Sequence, residues 1–126
     1  MKTIQQQRAE FALGEIKAFL NSNPSPSDKQ QKEYKSYASG LPAMIHTNGL
    51  GQAAAFYKSK GGTHEELYQL LSDWLTKDTQ PFAEKTDLLE GITTSNMQTY
   101  QFAQAEAQAL MDWVKKFAKA YMGGED

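Results

Sequence analysis

The chain has 126 residues, 13 basic and 15 acidic side chains, a formal charge of -2 and no cysteine; this length suits one compact domain that buries its core without covalent or metal staples. The missing cysteines exclude thiol catalysis, cysteine-ligated zinc and iron–sulfur clusters. A mean hydropathy of -0.64, with no run near the roughly 20 apolar residues of a bilayer span and no apolar block like the ~7–15 residues of a secretory signal, argues against a membrane and for a soluble, cytoplasmic protein.

In chain order, Ile4, Phe11, Ala12, Ile16, Phe19 and Leu20 share one side of a first helix, with Thr3 as its N-cap. The stretch NSNPSPS, residues 21–27, holds two prolines among small polar residues and reads as a loop. Ser27 or Asp28 caps a second helix, with Tyr34, Tyr37, Ala38 and Leu41 on its buried face and the lysines on the other. Pro42 disfavours the α conformation at Leu41 and lacks an N–H, so the helix is expected to stop there and restart. It then runs as a short apolar helix to Asn48-Gly49. Leu50 to Lys60 forms the next helix, burying Ala53, Phe56 and Tyr57 and ending at Gly61-Gly62.

The stretch THEE predicts a capping box between Thr63 and Glu66, opening a helix whose core face is Leu67, Leu70, Leu71, Trp74 and Leu75. Residues from about 77 to 86 read as a loop, with Phe82 as a lid on the core, and Thr86 caps a short turn through DLLEGI. A second capping box, Ser95 with Gln98, opens the longest helix, which is expected to end at Gly123-Gly124. Its main stripe, from Met97 through Tyr121, keeps the helical period throughout. A side line of Phe102, Ala109 and Trp113 implies central packing or a partner. No strand-like alternation and no repeat occurs. The expected fold is therefore all-α: a compact single-domain bundle of five to seven helices over residues 1–126.

Charge is unevenly spread. Lys29, Lys32, Lys35, Lys58 and Lys60 face a single acid, Glu33, between residues 29 and 60, whereas seven acids face two lysines between residues 61 and 90. Such a division is compatible with solvated faces of opposite sign, or with an anionic polymer on one side and another partner on the other. NGLGQAA has neither the lysine nor the preceding strand of a phosphate loop; it reads as a helix connection, though free amides near Leu50 would suit a phosphate if they faced outward. His46 and His64 lack the spacing of metal ligands, and no nucleophile elbow is present. No metal, cofactor or enzymatic activity is expected. Arg8, the only arginine, suits either a phosphate or carboxylate ligand or a structural pair with Glu10, Glu15 or another helix. Tyr34, Tyr37, Phe56 and Tyr57 suit either the core or base stacking.

Taken together, QQQRAEFA, YKSYASGLPAMIHTNGLGQAAAFYKSK and EAQALMDWVKKFAKAY resemble the small helical subunit of the Cmr-type (type III-B) CRISPR-Cas effector complex. The resemblance covers most of the chain, and its central block is the specific part. It implies a non-catalytic structural subunit of an RNA-guided, RNA-targeting complex in antiviral defence, stacking along the backbone filament and helping to line the target-RNA groove. The implied partners are the other Cmr subunits and the guide and target RNA, with weak self-association in addition. The alternative is a free-standing helical RNA-binding or adaptor module. Arg8, Lys35, Lys58 and Lys60 are the RNA-facing candidates, from their charge and their place in the matching blocks.

Overall fold

Two reciprocal caps set the first half of the fold. The Thr3 hydroxyl accepts from the Gln6 amide at 3.1 Å while the Gln6 side chain accepts from the Thr3 amide at 2.8 Å, and this starts α1 (Ile4–Leu20). Ser27 and Gln30 repeat the exchange at 3.1 and 2.9 Å and start α2 (Asp28–Lys60). Each box satisfies amides that a helix start leaves without partners. The computed structural model describes residues 1–123. Within them follow α3 (Gly62–Leu75), α4 (Leu88–Thr94) and α5 (Met97–Tyr121), so every regular element among the described residues is a helix.

The long α5 lies against α1 and α2, and α3 lies against α2. Ala12 and Ile16 of α1, Leu41 and Ile45 of α2, Leu67 and Leu71 of α3, and Ala107, Leu110 and Val114 of α5 are all buried in the shared core. Each fully buried leucine or isoleucine contributes about 1.5–3 kcal/mol, so this face decides the arrangement. Phe82 is fully buried, as the sequence suggests; its amide bonds to the Leu75 carbonyl at 3.0 Å. Gly91 leaves room for that ring, since a methyl group there would collide with it. Short α4 is tied to α3 by the Leu88 amide on Ser72 Oγ at 3.0 Å and the Leu89 amide on the Tyr68 hydroxyl at 3.3 Å.

The second helix departs from the sequence expectation. It runs through Pro42 without stopping, and its break falls at Gly49, with φ 87° and ψ 159°. Leu41 and Ile45 are buried on either side of the proline, and Gln108 donates to the Pro42 carbonyl at 3.1 Å; this packing outweighs the ~3 kcal/mol that an interior proline costs. The backbone angles at Gly49 lie in a region open essentially to glycine alone. There the helix folds back. The Tyr57 hydroxyl reaches the Tyr37 carbonyl at 2.8 Å, whereas a straight helix would separate residues 37 and 57 by about 30 Å.

Three predicted helix ends also move. Thr63 is not an N-cap: α3 begins at Gly62, with Gly61 (φ 68°) ending α2 and capping α3 without a side-chain bond. One glycine serves both ends, leaving no room for a box. Ser95 instead closes α4, and Asn96 caps α5 by accepting from the Thr99 amide at 2.8 Å. Likewise Asp87, rather than Thr86, caps α4. The last helix stops at Tyr121 with Met122 extended and buried, before the predicted glycine pair; Gly124 lies outside the described residues.

Candidate functional site

The glycine junction that suggested a phosphate cradle is already occupied by the protein. The break at Gly49 frees the amides that open the second arm of α2, and side chains of α5 take them: Leu50 N donates to Gln104 Oε1 and Gly51 N to the Tyr100 hydroxyl, both at 2.8 Å. The tyrosine oxygen lies so near Gly51 that an added Cβ would stand 3.3 Å from it. These amides do not face outward for an anion. The glycines build a helix-to-helix connection.

The fold-back does bring charge together. Because residue 57 meets residue 37, midway along the first arm, and Lys60 and Glu33 both act on His64, the end of the second arm, with Lys58 and Lys60, runs back toward the half of the first arm that carries Lys29 and Lys32. All four are exposed. Lys29 and Lys32 belong to the basic segment but were not among the RNA-facing candidates; the signal for them is the Gly49 hinge, which makes the two arms antiparallel.

The four candidate residues meet different fates. Arg8 makes a bidentate contact with Glu106 of α5, Nε to Oε2 at 2.7 Å and the second guanidinium nitrogen to Oε1 at 2.8 Å. The side chains are 14% and 12% exposed, and Trp74 Nε1 adds a third donor to Glu106 Oε2 at 2.9 Å. The hydrogen bond to Glu106 raises the Arg8 pKa over the opposing effect of burial. Of the two readings for the sole arginine, this contact matches the structural pair. Lys35 is 6% exposed, so it does not share the outward face expected for the lysines of α2. Only Lys58 and Lys60 remain exposed among the four. Lys58 pairs with Glu65 at 2.7 Å, which raises its pKa, and its ammonium lies 5.2 Å from the Tyr68 ring centroid. The Lys60 ammonium lies 5.2 Å from the centroid of Phe56.

The aromatic residues divide similarly. Tyr34 and Tyr57 are core residues, and burial, with Tyr37 adding, pushes the Tyr57 hydroxyl up to about 12. Phe56, predicted to be buried, is 41% exposed. It borders a cluster in which His64 stacks on Tyr37 at 3.7 Å and meets Tyr57 and Phe56 edge-on at 4.9 and 6.1 Å. Burial, then Lys60, lowers the His64 pKa against the opposing pull of Glu33, which favours the neutral ring. Among the described residues no group of three or more His, Cys, Asp or Glu side chains is placed to hold a metal ion, and no helix is long and apolar enough to cross a membrane. The side line of α5 splits too: Trp113 packs on Phe117 and donates to Gln5 at 2.9 Å, while Phe102 is exposed beside Pro81 and Ala105, as is Met97.

A helical hairpin clasped by a long helix and carrying exposed apolar side chains defines a small all-α module. The family model described as CRISPR-associated protein (Cas_Cmr5) matches residues 4–121, and the chain belongs to that family. A Thermus thermophilus protein described as CRISPR system Cmr subunit Cmr5 is 27% identical over 104 residues, covering 82% of this chain and 88% of that protein. The crystal structure of a CRISPR-associated Cmr5 family protein, also from Thermus thermophilus, superimposes with a TM-score of 0.75 at 25% identity, covering 97% of this chain and 100% of the other.

Proposed function

We propose that the chain is a non-catalytic structural subunit of a type III-B CRISPR RNA-guided complex, stacking along its backbone filament and lining part of the groove for target RNA. The observation that carries this reading is the family match over residues 4–121, which makes the relative described as a Cmr subunit the guide to this chain's partners: other Cmr subunits, with guide and target RNA. The hairpin supports the RNA part. It offers Lys29, Lys32, Lys58 and Lys60 to phosphates, and the partly exposed Phe56 ring beside Lys60 offers a face to a base. Exposed Met97 and Phe102 supply an apolar surface for a protein neighbour. Arg8 and Lys35 have no direct RNA contact in this proposal, since one is committed to Glu106 and the other is buried.

The test is target-RNA capture by a reconstituted complex carrying Lys58→Ala and Lys60→Ala, measured across a salt series. Capture should fall while helical circular dichroism stays unchanged, and the salt slope should shrink by about 0.7 for each phosphate that the variant no longer neutralises. Unchanged capture and slope would remove both lysines from the groove. Recovery of the chain from cells with RNA but without any other Cmr subunit would favour the free-standing module instead.

A further inference from the structure

Between the end of α1, the loop 21–27, the start of α2 and the first turns of α3 lies a cavity of about 400 Å³, whose walls include Glu15, Phe19, Pro24, Tyr34, Glu66 and Leu70. Three of its polar side chains are unspent. Among the described residues neither Glu15 nor Glu66 forms an ion pair or a side-chain hydrogen bond, and the Tyr34 hydroxyl has no hydrogen-bond partner although Tyr34 is only 2% exposed. The Tyr34 side chain is thus packed into the core while its hydroxyl is left without a protein partner. Glu66 is available because the box with Thr63 does not form. Burial, Asp73 and Glu66 raise the Glu15 pKa, with Lys77 pulling the other way, and the two cavity carboxylates both act on Tyr34, raising its pKa beyond the effect of burial. The nearby Lys77 ammonium lies 5.2 Å over the Phe11 ring and makes no ion pair among the described residues. The site thus has a surplus of negative charge and an apolar side formed by Phe19, Pro24 and Leu70.

We propose that this cavity binds an alkylammonium group. The cation's three N–H donors match three acceptors, the carboxylates of Glu15 and Glu66 and the hydroxyl oxygen of Tyr34. The methylene stem runs along Phe19, Pro24 and Leu70, as lysine stems do on apolar surfaces. A guanidinium would bring five donors in a planar fork, which fits this set less well, and two carboxylates make a poor cage for a hard metal ion that takes six or more oxygens. The same chemistry is carried by a free aliphatic diamine and by a lysine side chain of a partner protein.

Isothermal titration of the purified full chain, at constant ionic strength and pH 7, distinguishes the sources with two probes, 1,4-diaminobutane and Nα-acetyl-lysine methylamide. Wild type should bind at least one of them with 1:1 stoichiometry. Glu15→Gln combined with Glu66→Gln should weaken that binding at least tenfold, and Tyr34→Phe should weaken it several-fold. Since Tyr34 is buried, helical circular dichroism is checked on that variant, whereas the carboxylate positions are partly or fully exposed and keep the test open whatever Tyr34→Phe does. Tighter binding of the diamine assigns a free diamine, and tighter binding of the lysine amide assigns a partner's lysine; either supports the site. Wild type binding neither probe more tightly than the double glutamine variant overturns it.

Discussion

Replacing Glu106 with alanine tests whether Arg8 serves the fold. The carboxylate takes three hydrogen bonds, two from Arg8 and one from Trp74, at 2.7, 2.8 and 2.9 Å, and the ion pair is almost closed to solvent. Removing it leaves the guanidinium and an indole N–H with no acceptor in a mostly buried place. Breaking a fully buried pair from one side costs about 3–5 kcal/mol; with the residual exposure of this pair we expect about 2–4 kcal/mol. That is a large share of the ~6–19 kcal/mol that an average domain of this size holds in reserve. At roughly 4 °C per kcal/mol, the melting midpoint should fall by about 8–16 °C. The assay is urea unfolding followed by circular dichroism, on Glu106→Ala, Arg8→Met and the double variant Arg8→Met with Glu106→Ala. The double variant should lose less than the sum of the single losses, because no charge is left stranded. A loss under about 1 kcal/mol in Glu106→Ala, with the single effects adding in the double variant, would refute the reasoning and return Arg8 to the RNA-facing candidates.

Glycine positions give a sharper steric test. Gly49→Ala must hold a Cβ at φ 87° and should cost about 1–3 kcal/mol, read as a lower urea midpoint; Gly91→Ala, which pushes into the Phe82 ring, should cost a similar ~1–3 kcal/mol. Glu15→Gln should stabilise the free protein at pH 7, in thermal melts without added amine. The raised Glu15 pKa means that the folded state binds the proton more tightly than the unfolded state. The charged form therefore carries a penalty above the folded pKa, and that penalty disappears as pH falls below the unfolded value. With Glu15 only partly buried the gain should be no more than about 0.5 kcal/mol, and a pH-independent difference would show another origin.

What could be read from the sequence was governed by reach. Thr3 with Gln6 and Ser27 with Gln30 are pairs three residues apart, so their chemistry is complete within one helical turn. The core stripe of α5 was equally legible because its period depends only on the helix. Thr63 and Ser95 failed as caps for a reason that spacing does not contain: the neighbouring helix end had already claimed the junction. Arg8 needed a partner 98 residues away, and the sequence could name the residue without choosing Glu106. Lys35 shows the same limit from the other side. It lies one turn after Gln31 and two turns before Pro42, on the side of α2 that the last helix meets through Gly123 and Gln108, and local spacing does not contain that contact. Pro42 carried the stronger local break signal, yet packing around Leu41 and Ile45 moved the break seven residues on.

The capping of the second arm by Tyr100 and Gln104 also fixes an order of events. The amides of Leu50 and Gly51 must wait for acceptors that emerge from the ribosome some fifty residues later, so the hairpin made early in synthesis is incomplete until α5 docks. Those two amides should accordingly exchange their protons only when the whole molecule opens. A chain cut before Met97 should leave the arms loosely paired, because the last helix is both the floor of the core and the stopper at the turn.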